Sequence, residues 1–216
     1  MKLEEIGSLQ WDKGGGLLPA VVQDAATGSV LMVGYMNREA LRTTLSGGLV
    51  TFYSRSRQAL WTKGETSGNR LEVESVSVDC DADTLLVLAR PTGPVCHNGT
   101  TTCFPRAEST GAGRLAFLAR LESVVADRIA RQPEGSYTAE LFSQGPSRIA
   151  QKIGEEGVEV ALAAVGPDDA KVVGESADLL YHLILLLRQR GLALADVAAE
   201  LELRHAGRTA AATAAE

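Results

Sequence analysis

The sequence predicts an α+β domain rich in β-strands followed by an all-α helical bundle, and three observations carry that reading. Up to about residue 105, apolar and β-branched residues come in short runs broken by turn formers. Beyond it, Ala, Leu, Glu and Arg dominate, with apolar residues returning every three or four positions. The join between these textures, PRAESTGAGR at 105–114, is small and polar with Pro and Gly, as a linker is. Domains of 1–107 and 108–216 follow, each of ordinary size.

In the first domain, the stretch 17–36 reads as a hairpin, because two apolar runs flank DAATGS. Asn37 is placed to cap a helix over REALRTTLS, which Gly47 and Gly48 close. LVTFYSRS (49–56) alternates as a strand does, and 71–89 reads as two strands around a turn near Asp81–Asp83. In the second domain, 116–132 has helical apolar spacing. Pro146 sits at a first-turn position ahead of SRIAQKIGEEGVEVALAAV, and Gly166-Pro167 ends that helix. A helix over 168–191 stops at Gly191, another covers 194–206, and the Ala-rich tail after Gly207 is expected to fray. Short loops between such helices imply an antiparallel bundle.

Composition excludes several classes. A net charge of −6 gives no basic footprint for nucleic acid. No apolar run is long enough to span a bilayer, so no membrane partner is expected. The start, MKLEEIGSLQW, has acids where a signal peptide has an apolar stretch, which points to the cytoplasm. Three cysteines in a reducing compartment suit metal binding or free thiols better than disulfides.

The candidate ligands gather in Asp79–Cys103. On an extended chain Asp79, Asp81 and Asp83 project to one face and Cys80 to the other. Three carboxylates side by side repel unless a hard cation such as Mg2+ neutralises them, although a solvated acidic turn has the same composition. Cys80, Cys96 and Cys103 offer the three-ligand count of a catalytic Zn2+ site, with small buried cysteines as the alternative. His97, beside one of them, has the pKa range of an acid/base. In SRSRQALWTKGETSGNR (54–70), Arg55 and Arg57 share a strand face, Lys63 heads a Gly-rich nest for phosphate, and Trp61 is available to stack on a base.

In the second domain Lys152, Glu155, Glu156 and Glu159 share one helical face, and Glu175, Asp178 and His182 repeat the pattern on the next helix. That second helix is apolar nearly all round and should be buried, where acids are costly unless paired or metal-bound. Facing acidic clusters suggest Mg2+ within the bundle.

The stretches VQDAATGSVLMVGYMNREAL, TFYSRSRQALWTKGETSGN, VDCDADTLL and GPVCHNGTTTCF resemble the phosphoribosyl-AMP cyclohydrolase family over nearly all of 10–104, departing only at Asn98 and Thr100 to Thr102. The resemblance implies Zn2+ held by Cys80, Cys96 and Cys103, Mg2+ held by Asp79, Asp81 and Asp83, and a homodimer whose metal sites draw on both chains. It also implies hydrolytic opening of an adenine ring at N1–C6, with His97 moving protons. GSYTAELFSQGPSRIAQKIGEEGVEV and ESADLLYHLILLL resemble phosphoribosyl-ATP pyrophosphohydrolase over about 114–205. That likeness implies Mg2+ at Glu155, Glu156, Glu159, Glu175 and Asp178, a catalytic part for Glu156, and a nucleotide triphosphate contacted by Lys152. The two halves are then expected to catalyse consecutive hydrolytic steps of histidine biosynthesis on one small-molecule nucleotide.

Overall fold

A computed structural model describes residues 1–106 and 111–213, in two compact units, Met1–Phe117 and Leu118–Glu216. Of the expected linker 105–114, residues 107–110 lie outside the described set.

The first unit is built on β1 (Leu18–Asp24) and β2 (Val30–Met36), the expected hairpin. Asp24 sets its turn, accepting from Ala26 N–H and the Thr27 hydroxyl. Helix α1 (Arg38–Gly47) starts where Asn37 accepts from Ala40 N–H at 2.8 Å and ends on Gly48 in a left-handed conformation, as expected from both residue types. β3 (Thr51–Ser54) and β4 (Ala59–Thr62) form a separate two-stranded ribbon. β5 (Leu71–Val78) and β6 (Leu85–Pro91) complete a four-stranded sheet of order β2-β1-β6-β5. Its β1–β6 pair is parallel and its other pairs are antiparallel.

Alternation decides what this sheet buries. Leu18, Ala20 and Val22 of β1 and Leu85, Val87 and Ala89 of β6 are fully buried on one face, against Leu41 of α1, Met36 and Trp11. Gly34 of β2 is required because any Cβ there would run into the Phe52 ring. Thr44 locks α1 to β3: its buried hydroxyl accepts from Thr51 N–H at 3.0 Å and is 3.1 Å from Thr51 C=O, to which it donates.

The second unit holds α2 (Gly111–Arg131), α3 (Tyr137–Ser143), α4 (Pro146–Ala164), α5 (Asp169–Gln189) and α6 (Leu194–Thr213). Pro146 takes the first helical turn of α4, as its missing N–H predicts. Val125, Leu141, Ile149, Ile184 and Leu185 form the sealed core of this unit. Two expectations need correction. α6 runs through Thr213 instead of ending near 206, in keeping with the helix propensity of its alanines. α5 is buried only toward its C-terminal half, since Val173 is 69% exposed and Leu180 39% exposed. Among the described residues, no helix is long and apolar enough to cross a membrane.

Candidate functional sites

In the first unit a cavity of about 510 Å³ lies against the β3–β4 ribbon, with Arg57, Trp61, Lys63, Cys96, His97 and Cys103 in its wall. The segment bearing the cysteines is folded back onto β2. Cys103 N–H donates to Leu31 C=O at 2.8 Å, and the Thr102 hydroxyl donates to Val30 C=O at 2.6 Å. A tight turn closes on Cys96, whose N–H donates to Thr100 C=O and whose C=O accepts from Gly99 N–H. That turn aims the Asn98 N–H at the Cys96 sulfur, so the thiol is held below its ordinary range and thiolate is favoured. Burial pushes the Cys103 thiol up, and the neighbouring Cys96 charge adds to it. His97 Nδ1 stands 3.8 Å from Cys96 Sγ. Cys96 and Cys103 are therefore a thiol inclined to ionise beside a more reluctant one, and a soft cation would favour the thiolate of both.

The opposite wall is the loop after β4. Lys63 N–H donates to Val50 C=O, and Gly68 N–H to Gly64 C=O. Gly64 has φ of 84°, and a Cβ there would collide with the Asn69 backbone, so only glycine permits this fold of the loop. Trp61 packs on Phe52 with ring centroids 5.0 Å apart and lines this cavity and a second one of about 560 Å³. The two arginines of the ribbon part company. They lie in the turn after Ser54 and not on a strand, so they do not share a strand face. Arg57 faces the thiol cavity, while Arg55 stacks over the Tyr35 ring at 4.0 Å beside the second cavity.

The aspartates also depart from the extended arrangement. β5 ends at Val78, and Asp79 to Asp83 form a turn in which Ala82 has φ of 60°, so simple alternation does not order them. The turn still gathers them: carboxylate oxygens of Asp79, Asp81 and Asp83 lie within 4.8 Å of one another. Asp79 Oδ1 accepts from the Asp83 and Thr84 N–H groups, both at 3.0 Å. Those donors, that of Thr84 foremost, hold its carboxyl below the usual range. Cys80 is exposed on this turn. Among the described residues, no three-ligand group joins it to Cys96 and Cys103. Lys13, which the sequence reading passed over, donates to Asp81 Oδ2 at 2.7 Å and to Asp83 Oδ2 at 3.0 Å. Nothing local signals that contact, because 68 residues separate Lys13 from Asp81.

In the second unit, Glu156 of α4 meets Glu175 and Asp178 of α5, again with oxygens within 4.8 Å. Glu156 is buried, and Lys152 Nζ donates to its Oε1 at 2.8 Å. That bond keeps the Glu156 carboxyl low, while a side-chain hydrogen bond with Glu156, reinforced by the Glu156 charge, raises that of Glu159. Glu159 and Glu175 border a cavity of about 580 Å³ that Lys171 also lines. Glu155 stands apart, bound to Lys152 at 2.9 Å and Gln151 at 2.9 Å, with Arg148 at 3.8 Å. Its carboxyl is held low, chiefly by Lys152. Behind the cluster, buried His182 lies 2.8 Å through Nδ1 from Asp178 C=O, to which it donates, and accepts through Nε2 from the Tyr137 hydroxyl at 3.0 Å.

A strand-rich unit with a thiol-lined cavity, followed by a helical unit with a carboxylate cluster, defines a two-part enzyme suited to metal-assisted hydrolysis. The family model for phosphoribosyl-AMP cyclohydrolase matches residues 32–105, and that for phosphoribosyl-ATP pyrophosphohydrolase matches residues 118–205. The histidine biosynthesis bifunctional protein HisIE of Xanthomonas campestris pv. campestris is 59% identical over 202 residues, covering 94% of this chain and 95% of the relative. The proteins of the same description from Photobacterium profundum (55% identical, 93% and 98% covered) and Escherichia coli K12 (54% identical, 91% and 95% covered) are similar along nearly their whole length. The chain belongs to this bifunctional family of histidine biosynthesis, with a cyclohydrolase and a pyrophosphohydrolase in one polypeptide.

Proposed function

We propose that the helical unit, taken as 108–216, cleaves phosphoribosyl-ATP at its carboxylate cluster, and that the strand-rich unit, taken as 1–107, opens the ring of the resulting phosphoribosyl-AMP at its thiol cavity. The observation that carries the assignment is the separation of two chemically different donor sets, one soft and one hard, each beside its own cavity.

In the helical unit, water adds to a phosphorus of the triphosphate and the α–β bridging bond breaks, releasing pyrophosphate. Glu156, Glu175 and Asp178, with Glu159 at the cavity rim and Glu155 further out, fit a hard dication by donor chemistry, and Mg2+ there supplies charge neutralisation for the phosphates. Lys152 anchors Glu156 and presents a cation toward phosphate. In the strand-rich unit, water adds to C6 of the N1-substituted adenine, N1 takes a proton, and the N1–C6 bond breaks. Cys96 and Cys103 fit a soft cation, and with Cys80 they would hold Zn2+, which would supply a Lewis acid for water at near-neutral pH. His97 moves the proton, Trp61 stacks on the base, and Arg57, Lys63 and, from its own cavity, Arg55 hold phosphate. The three aspartates fit Mg2+ by donor set, with the Lys13 ammonium standing where a cation belongs.

The enzyme acts as a cytoplasmic homodimer in this reading. Two features support it: Cys80 is separated from the other thiols within one chain, and apolar Val158, Leu162 and Val173 are exposed on α4 and α5.

Separation of function tests the assignment. Cys96→Ala abolishes ring opening and leaves pyrophosphate release near the parent rate; Glu156→Gln does the reverse. Pyrophosphate release is followed by chromatography from phosphoribosyl-ATP with Mg2+, and ring opening is followed from phosphoribosyl-AMP supplied directly, so that loss of the first step does not starve the second. Equal loss of both steps in either variant overturns the assignment of one reaction to each unit.

A further inference from the structure

We propose that Lys13 is a resident counter-cation of the three-aspartate cluster, which a divalent ion must displace, so that this lysine sets the affinity of the site. The inference rests on the reading that Asp79, Asp81 and Asp83 hold a divalent ion, and it adds a residue that reading does not contain.

Lys13 is delivered to the cluster by its own segment. It lies on a short 3-10 turn, Trp11–Gly14, whose Trp11 ring is buried in the first core and donates through Nε1 to Ile6 C=O at 2.8 Å. Gln10 N–H donates at 2.8 Å to Ala82 C=O, inside the aspartate turn itself. The segment is thus hydrogen-bonded to the turn it neutralises, and Lys13 leaves it three residues beyond that bond. Its ammonium then bridges Asp81 Oδ2 and Asp83 Oδ2.

Asp79 takes no part in the bridge. Its Oδ1 is occupied by two backbone N–H groups, so that carboxylate stays in place whether or not the lysine is present. One ammonium against three carboxylates leaves the cluster two charges short of neutral, which is a standing attraction for a dication. A hard dication takes carboxylate oxygens at roughly 2.0–2.1 Å, and an ammonium hydrogen-bonded to those carboxylates is repelled by its charge at close range. The two cations therefore compete. Lys13 is able to leave because its side chain is 49% exposed and its charge returns to water on a flexible stem. An exposed lysine making two such pairs lowers the apparent affinity for the ion by roughly fivefold.

The test uses the full chain in a Glu175→Gln, Asp178→Asn background, which removes the helical cluster as a competing sink. Free Mn2+ is counted by electron paramagnetic resonance during titration of the parent, Lys13→Gln and Lys13→Arg. The expected result is tightening by roughly fivefold in Lys13→Gln and no tightening in Lys13→Arg, which keeps the charge. Unchanged or weaker Mn2+ binding in Lys13→Gln overturns the proposal. In parallel, the 13Cε resonance of Lys13 in the same background moves to the position of a solvated lysine on addition of Mg2+; a resonance that does not move overturns the displacement. An Asp81→Asn, Asp83→Asn pair reports on the underlying reading. If it binds Mn2+ as the parent does, the aspartates are not the ion site and the role of Lys13 falls with them.

Discussion

Replacing Lys152 by methionine isolates what its charge does, because the stem volume is nearly conserved while the ammonium is lost. In the parent, Nζ bridges Glu155 Oε2 at 2.9 Å and Glu156 Oε1 at 2.8 Å. Glu155 keeps other partners in Gln151 and Arg148. Among the described residues, Glu156 keeps no other lysine or arginine: its side chain is 7% exposed, and its remaining polar neighbours are the Glu159 carboxyl and His182, whose Nδ1, 3.7 Å away, donates to Asp178 C=O. Stripping one partner from a sealed ion pair costs about 3–5 kcal/mol. This pair opens toward water on the Lys152 side, which is 22% exposed, so about 2 kcal/mol is the appropriate magnitude. The pH dependence has a definite sign. The Lys152 bond depresses the Glu156 carboxyl in the folded state, so its stabilisation is complete above the ordinary glutamate pKa and is lost as pH falls through the depressed value. The gap in unfolding free energy between parent and variant is therefore full at neutral pH and closes in acid, below roughly pH 4. Denaturant unfolding read by far-UV circular dichroism follows the helices. Both tryptophans, Trp11 and Trp61, lie in the first unit, so their emission provides an internal control that should not shift. Pyrophosphate release should fall in parallel. A stability gap that is absent at neutral pH, or constant down to acid, refutes the assignment of this charge to Glu156.

Other outcomes follow from the same contacts. Thr44→Val leaves the buried Thr51 N–H without its acceptor and should cost about 2 kcal/mol, seen as a shift in the tryptophan-emission transition. Metal analysis should find about one Zn2+ per chain. After its removal by a strong chelator, alkylation followed by peptide mass spectrometry should label Cys96 ahead of Cys103, since the Asn98 N–H favours one thiolate and burial disfavours the other. Labelling in the reverse order would contradict that ranking.

Features set by local chemistry were legible in the sequence. The turn formers between two apolar runs, Asn37 before REALR and Pro146 ahead of α4 each act over a few residues, and the structure places each as expected. What was not legible depends on distance or on short length. β4 spans four residues inside a polar stretch and becomes a strand by pairing with β3, where the Thr51 and Thr62 hydroxyls meet at 2.9 Å. α3 is a single short helix held by the Ser136 cap. The alternation of Asp79, Asp81 and Asp83 described an extended chain, yet one left-handed residue, Ala82, turns it while keeping the carboxylates together. Helical spacing likewise grouped Glu155 with Glu156, although adjacent residues differ by about 100° around a helix, and the structure sends them to different partners. Burial of α5 was inferred from its apolar content, but burial also needs a surface to cover it, and one chain covers only part of the helix.

Lys13 and Lys152 show one solution reached on unrelated scaffolds. Lys13 bridges two carboxylates of a cluster whose oxygens converge within 4.8 Å, and Lys152 joins one member of such a cluster, Glu156, to Glu155 beside it. Such a cluster repels itself when no dication is present, so it needs a charge that relieves the strain without dictating coordination geometry. A lysine meets that need: it is a point charge on a flexible stem, whereas a planar arginine fork would hold the oxygens in its own geometry. The two sites differ in how firmly the lysine is held. Lys13 and its partners are largely exposed, which favours exchange with an ion. Lys152 serves a buried carboxylate, so its departure would leave Glu156 uncompensated unless another cation arrived at the same time. The first lysine is accordingly a competitor for the ion, and the second is a fixed part of the site that the ion and substrate must accommodate.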